Sequence, residues 1–490
     1  MNQITLQRTQ RVMLVLAIIL LPLTNLPKAV TFFSIGQTAS LYPLYFSLLL
    51  FWVECFKYKF TIRKSFIIFI FLYILWQIVC LMNGALIYPY YDLIALEQVG
   101  TKLKYLMKYA PGIIDEATAI KIWLVLRESK NIVFQAGILF LIPIQILHLY
   151  QQDFERAFKD MRRAVNILIC MFGIYSIPEI MFLKFNNANA RMILEWINPF
   201  LYDVQNSHGW WPPLLWWGQL RSLCAEPSFF GILASFCVPF CWSYLYEKRN
   251  VKYILLYVYF IFMLFMTKAR TALGIYVGEI TLLFISCLYG CNKKYLQTIM
   301  IILISSAVAF SVNLLNWKTF SNSTDASMYI NNNIISVADP GARSNTARLA
   351  NVMATIKVGA EHPFFGVGKG FRSAYITDKL PEWSYNNMEV RNWARYLSNE
   401  GFLKSGYPIL NYYSSVFAES GILGLVFFLL PVFYIFYNAL KKRTALKHFN
   451  VTITLIVLCG QLAAMLSNTY FLTYPLSLGL ALLLVESKGK

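Results

Sequence analysis

SFIIFIFLYILWQIVCLMNG, residues 65–84, runs for twenty positions without an aspartate, glutamate, lysine or arginine. About twenty residues rising 1.5 Å each as a helix cross the roughly 30 Å hydrocarbon layer of a bilayer, so this stretch reads as a transmembrane helix. Working outward, the same criterion picks out eleven more stretches: 12–33, 38–56, 131–150, 164–183, 226–246, 251–267, 271–290, 295–315, 413–440, 450–467 and 473–486. The composition agrees. Of 490 residues 58% are hydrophobic and 14% charged, against about 25% charged in an ordinary soluble protein, and the mean hydropathy is +0.53. The expected fold is an all-α polytopic membrane protein of about twelve transmembrane helices, organised as one membrane domain over residues 1–490. The basic start and apolar run of MNQITLQRTQRVMLVLAIILLPL, residues 1–23, lack a small-residue cleavage site and read as an uncleaved first span.

A net charge of +19 would suggest nucleic acid in a soluble protein, but in a membrane protein the lysines and arginines are sorted by loop. The short connections 1–11, 57–64, 151–163, 247–250, 291–294, 441–449 and 487–490 hold 20 of them. That set is expected to be cytoplasmic, with both termini inside and no nucleic-acid partner. Three long segments then face outward: 85–130, 184–225 and 316–412. The first reads as interfacial and amphipathic, with LIALEQVGTKLKYLMKY and IIDEATAIKIWLVLRESK on either side of Pro111-Gly112. The second is rich in tryptophan; Trp210 and Trp211 suit either an interfacial aromatic belt or stacking on sugar rings. The third is the largest polar piece. In it Asn345 to Gly359 patterns as a helix with Leu349, Val352, Met353 and Ile356 on its packed face, Arg348 turned away, and Gly359 as its stop.

The nine cysteines sit almost all in apolar runs without a CxxC pair, and read as reduced, buried thiols. GVGKGF at 366–371 lacks the spacing of a nucleotide phosphate loop, and its glycines read mainly as turns. His148 and His448 fall at cytoplasmic helix ends, which leaves His208 and His362 in outward segments as candidate substrate contacts. No metal and no cofactor is expected. Glu279, near the middle of the eighth span, is assigned a hydrogen-bonding role inside the bundle.

What stands out is a set of charges at the outer rim. Arg221 and Glu226 precede the sixth span, Lys268 and Arg270 occupy the turn between the seventh and eighth, and Arg343 and Arg348 lie in the long loop. Arginine's planar fork suits bidentate contact with phosphate oxygens, so a pyrophosphate at head-group level is a natural partner. Glu226 is a candidate general base or a partner of Arg221; beside several arginines its pKa is expected to be lowered.

RSLCAEPSFFGIL at 221–233, TKARTAL at 267–273, the ten-residue interval from Arg348 to Gly359, and HPFFGVGKGF followed by NYYSSVFAESGILGL at 411–425 together resemble the O-antigen polymerase and O-antigen ligase superfamily. The likeness covers roughly residues 220–430. Two departures are visible. Arg221 and Gly231 are separated by nine residues rather than ten, and Leu410 stands where family members often have histidine. The resemblance implies a GT-C-like, metal-independent glycosyltransferase at the outer face of a bacterial inner membrane. It would use an undecaprenyl-pyrophosphate-linked oligosaccharide as donor and a second one as acceptor, among membrane lipids and with a possible chain-length regulator. Arg221, Arg270 and Arg348 would stabilise the departing pyrophosphate. An O-antigen ligase acting on lipid A–core, and a lipid-linked oligosaccharide flippase or exporter, are the alternatives.

Overall fold

The computed structural model describes residues 2–31, 36–58, 63–94, 105, 107–109, 115–151, 153–203, 214–216, 218–290, 293–316, 321–322, 329–331, 343–401, 406–441, 448–469 and 471–486. The chain is a helical membrane-type bundle. Its helices are α1 (Gln3–Ile19), α2 (Leu41–Tyr58), α3 (Lys64–Ile87), α4 (Glu116–Tyr150), α5 (Phe154–Phe185), α6 (Ala188–Leu201), α7 (Pro227–Lys248), α8 (Val251–Thr267), α9 (Arg270–Gly290) and α10 (Lys293–Leu314). After a two-residue antiparallel pair, β1 (Leu315–Asn316) with β2 (Ser321–Asn322), follow α11 (Arg343–Glu361), α12 (Arg372–Lys379), α13 (Met388–Glu400), α14 (Tyr412–Lys441), α15 (Phe449–Ala464) and α16 (Thr473–Glu486).

Each of the twelve expected spans falls on one of these helices. Among the described residues seven helices are long and apolar enough to cross a membrane, and α8, α15 and α16 are shorter apolar helices. Inside hydrocarbon every backbone group must be satisfied within the segment, which is why the apolar runs fold as helices. The first helix differs from expectation at both ends: Asn2 caps it by accepting from the Thr5 amide at 2.9 Å, and it stops at Ile19.

The 85–130 segment also differs. Asp115 accepts from the Thr118 amide and starts α4, which then runs without interruption through a π turn at Gly137–Leu141 to Tyr150. The second amphipathic run is therefore the beginning of a 35-residue helix. No glycine or proline lies between Glu116 and Gln135 to end it.

The long loop carries its own small core, in which Ala347, Ala350 and Ala354 of α11 meet Ile376, Leu380, Val390 and Leu397. This reverses the expected facing of α11. Its buried side is made of alanines with Asn351, Thr355 and Val358, while Leu349, Met353 and Ile356 are 46%, 38% and 47% exposed. Small residues let two helices approach closely, and α11 packs on α14. Gly359 belongs to that contact rather than to a helix stop. A Cβ there would lie 2.4 Å from the Phe417 ring, and α11 continues to Glu361.

The GVGKG loop is seated between α3 and α14. Gly421, at φ 66°, breaks the α14 ladder, and the carbonyls of Ala418 and Glu419 accept instead from the amides of Val367 (2.8 Å) and Gly368 (3.0 Å). On the other side a Cβ on Gly84 would lie 2.1 Å from the Val367 oxygen, so backbone meets backbone. Two of the loop's amides are thus consumed by the fold, which leaves them unable to cradle a phosphate.

Two further expectations change. Glu279 is buried, yet neither carboxyl oxygen has a hydrogen-bond partner among the described residues. Cys170 is exposed on the bundle surface, whereas Cys80, Cys224, Cys237, Cys241 and Cys287 are buried.

Candidate functional site

At the end of the bundle that carries the long loop, a cavity of about 760 Å³ opens between the helix ends and α11. Glu226, Lys268, Arg270 and Arg348 all line it, joined by Asn345, Asn411, Ser467 and Asn468. Two helices begin at its wall, α7 at Pro227 and α9 at Arg270. Helix N-termini carry partial positive charge and unpaired amides, so both favour an anion.

Local structure explains each position. Thr267 accepts from the Ala269 amide at 3.1 Å while Lys268 takes a left-handed conformation, and this tight turn between α8 and α9 puts Lys268 and Arg270 at the cavity. Arg270 Nη1 donates to Asn345 Oδ1 at 3.4 Å, and Arg348 Nη1 donates to the Ser467 carbonyl at 2.8 Å. One nitrogen of each guanidinium is so anchored to a neighbouring segment, which fixes the forks.

Glu226 caps α7 and accepts from the Ser228 hydroxyl at 3.1 Å. It does not pair with Arg221. Its pKa is raised above the ordinary carboxylate value, because burial outweighs the opposing effects of the Ser228 hydroxyl and of Arg348; nearby Glu389 adds to the rise. The expected lowering is overturned, since desolvation of the carboxylate exceeds its attraction to the arginines. Burial likewise lowers the pKa of Arg348, with Glu389 and Glu226 opposing and Arg270 assisting. Arginine stays charged under such a shift.

Arg221 is elsewhere. It is fully buried, donating to the carbonyls of Ser222 (3.2 Å) and Cys224 (2.8 Å) and to the Tyr175 hydroxyl (3.1 Å), with its guanidinium over the Tyr175 and Tyr202 rings. Glu179 accepts from the amides of Arg221 and Ser222, both at 2.9 Å. This arginine ties down the connection leading into α7 and has no access to the cavity. Replacing it with methionine leaves buried carbonyls unpaired at about 1–3 kcal/mol each. Arg221→Met is accordingly expected to lower the melting temperature and yield, while activity per folded molecule is largely kept. A normal melting temperature with abolished activity would reverse this assignment.

His362 is also outside the cavity. It follows the last residue of α11, 14 positions beyond Arg348 and so about 20 Å away at helical rise, with its ring 5.6 Å from that of Tyr375. Arg343 opens α11, but its side chain lies outside the described residues, as do His208, Trp210 and Trp211.

The sequence reading missed the wall against which Arg348 is anchored. Asn411 donates to the Leu466 carbonyl at 3.1 Å, and the Tyr412 amide to Met465 at 2.9 Å, so residues 409–412 and 465–469 are bound together. The signal for it was the polar break Ser467-Asn468-Thr469 between two apolar helices. Leu410, at the position of the departure noted above, lines the cavity.

A family model described as O-Antigen ligase matches residues 255–429. The match contains Arg270, Arg348, the GVGKG loop and the first half of α14, and excludes Arg221 and Glu226. No curated protein and no solved structure matches the chain. The family model points to an O-antigen ligase- or polymerase-like function in a multi-pass membrane protein. Residues 255–429 are thus similar to the O-Antigen ligase family model, a match consistent with the O-antigen polymerase and ligase superfamily.

Proposed function

We propose that the protein is a glycosyltransferase that polymerises undecaprenyl-pyrophosphate-linked oligosaccharide repeat units at the outer face of a bacterial inner membrane. The observation that carries this reading is the convergence of Lys268, Arg270 and Arg348 with Glu226 in one cavity at two helix N-termini. An acceptor hydroxyl attacks the anomeric carbon of the donor as the bond from that carbon to the pyrophosphate oxygen breaks. The hydroxyl proton passes to Glu226, and the leaving pyrophosphate carries its charge toward Arg270 and Arg348. Fixed donors aimed at developing charge in a water-poor site are worth several kcal/mol. A site on that face has no nucleotide sugars, so the pyrophosphate bond of a lipid-linked donor supplies the driving force.

Ligase activity would use the same donor and differ only at the acceptor. Leu410 removes the imidazole that the resemblance associates with that position, and the half-buried Glu226, its pKa raised by desolvation, offers a base in its place, which favours the polymerase reading. Deleting the gene and separating surface glycans by length tests it. The expected result is loss of the ladder with single repeat units still attached. Loss of all attachment would turn the assignment to a ligase or a flippase.

A further inference from the structure

A second cavity, about 600 Å³, lies behind the arginine cavity and is lined by Glu128, Gln135, Lys369, Tyr412, Glu419 and Thr469 among others. The two share a wall. Leu410, Asn411 and Asn468 line the first, while Ile409, Tyr412 and Thr469 line the second, so neighbouring residues of the same two segments face opposite ways.

The second cavity is built rather than incidental. Each acid already has a partner: Asn131 donates to Glu128 at 3.0 Å with Arg127 3.5 Å away, and Arg372 lies 3.6 Å from Glu419. Gln135 donates to the Tyr412 hydroxyl at 2.6 Å. Lys369 is different. The GVGKG loop carries it to the cavity, where it is half-buried, and it has no hydrogen-bond or ion-pair partner among the described residues. Burial lowers its pKa while Glu419 and Glu128 hold it up. Gly370 shows how tightly this loop is placed, since a Cβ there would lie 2.6 Å from the Glu128 carboxyl carbon.

The chemistry selects against a second phosphate site. Arg127 and Arg372 pair with the acids but do not line the cavity, so the lining itself presents two carboxylates and one ammonium, a poor match for a pyrophosphate; with an amide, hydroxyls and the Phe471 and Leu472 surfaces they suit a neutral ligand rich in hydroxyl groups. We propose that this cavity holds sugar rings of the acceptor oligosaccharide, separated from the pyrophosphate-binding arginines by the 409–412 and 466–469 wall. The inference rests on the glycosyl-transfer reading above.

The test uses full-length protein in lipid nanodiscs and two probes. One is the repeat-unit oligosaccharide freed by mild acid from the cells' own lipid-linked intermediate; the other is inorganic pyrophosphate. Calorimetry compares wild type with Lys369→Met, Thr38→Phe (a bulky residue at another position lining the second cavity) and Arg348→Ala. Loss of a charge-assisted hydrogen bond corresponds to about tenfold or more in affinity, so Lys369→Met and Thr38→Phe are expected to weaken oligosaccharide binding by at least that factor without changing pyrophosphate binding. Arg348→Ala is expected to do the reverse. Oligosaccharide affinity unchanged in both cavity variants, or absent from wild type, overturns the inference; should Lys369→Met not fold, Thr38→Phe alone decides it. Pyrophosphate affinity unchanged in Arg348→Ala overturns the glycosyl-transfer reading instead, while the oligosaccharide arm still judges the second cavity.

Discussion

Alanine at Arg348 is expected to lower the rate of glycan transfer by about 10²–10³, the loss typical when one preorganised donor to a developing anion is removed. The reasoning is geometric. Arg348 projects into the cavity from the first turns of α11, with one guanidinium nitrogen held by the Ser467 carbonyl, and its remaining N–H groups are available to pyrophosphate oxygens. Arg270 reaches the same space from the start of α9, anchored by Asn345. If both act on one leaving group, Arg270→Ala costs a similar factor and the double variant costs less than the product of the two. Lysine at 348 is not expected to restore the rate, because a point charge reproduces neither the anchored nitrogen nor the planar fork. In vitro transfer from a purified lipid-linked donor, at equal amounts of protein with wild-type melting temperature, measures this. Near-normal transfer by both single variants would remove the arginines from the mechanism.

Glu226→Gln is expected to lower transfer by about 10²–10⁴, the usual contribution of a positioned general base. The pH dependence separates this role from a structural one. A base must be ionised to accept the hydroxyl proton, and burial raises the pKa of Glu226 above the ordinary carboxylate value. Wild-type activity should therefore fall as pH drops through a midpoint higher than the roughly 4.3 of a free glutamate, and Glu226→Gln should lack that limb. Stability should respond with the opposite sign. A carboxyl whose folded pKa is raised binds more protons folded than unfolded between the two values, so its contribution weakens as pH rises through that window. Activity increasing while the melting temperature decreases over the same interval marks Glu226; an acid limb retained in Glu226→Gln assigns the base to another residue, for which the neighbouring Glu389 is the first choice.

The reversal of α11 shows where pattern reading stops. Leu349, Met353 and Ile356 form an apolar stripe at helical spacing, and hydrophobicity alone puts that stripe inward. The fold instead buries the alanine side, which packs against Ile376, Leu380, Val390 and Leu397 of the loop's own core, while Gly359 lets the same helix approach α14 at Phe417. Arg221 shows a second limit. Its place in a basic motif beside a span start is the same in sequence as that of Arg270, but Tyr175 and Tyr202, 46 and 19 positions away, enclose it. Glu226 shows a third, since the balance between desolvation and neighbouring charge depends on depth below the surface.

By itself the sequence determined the helical membrane architecture, the order of its spans, the long polar insertion and the identity of most cationic candidates. Each of those rests on local physics: about twenty apolar residues need a helix to satisfy their backbone in hydrocarbon, and a cluster of arginines interrupts that pattern wherever it occurs. Tertiary structure alone decided that Arg270 and Arg348 share a cavity with Glu226 while Arg221 is packed away, that the GVGKG loop spends two amides on the broken helix α14, and that a wall from 409–412 and 466–469 divides two cavities. These depend on contacts between residues 46 to 119 positions apart, and the free energy of such contacts comes from shape and burial that no single stretch of chain contains.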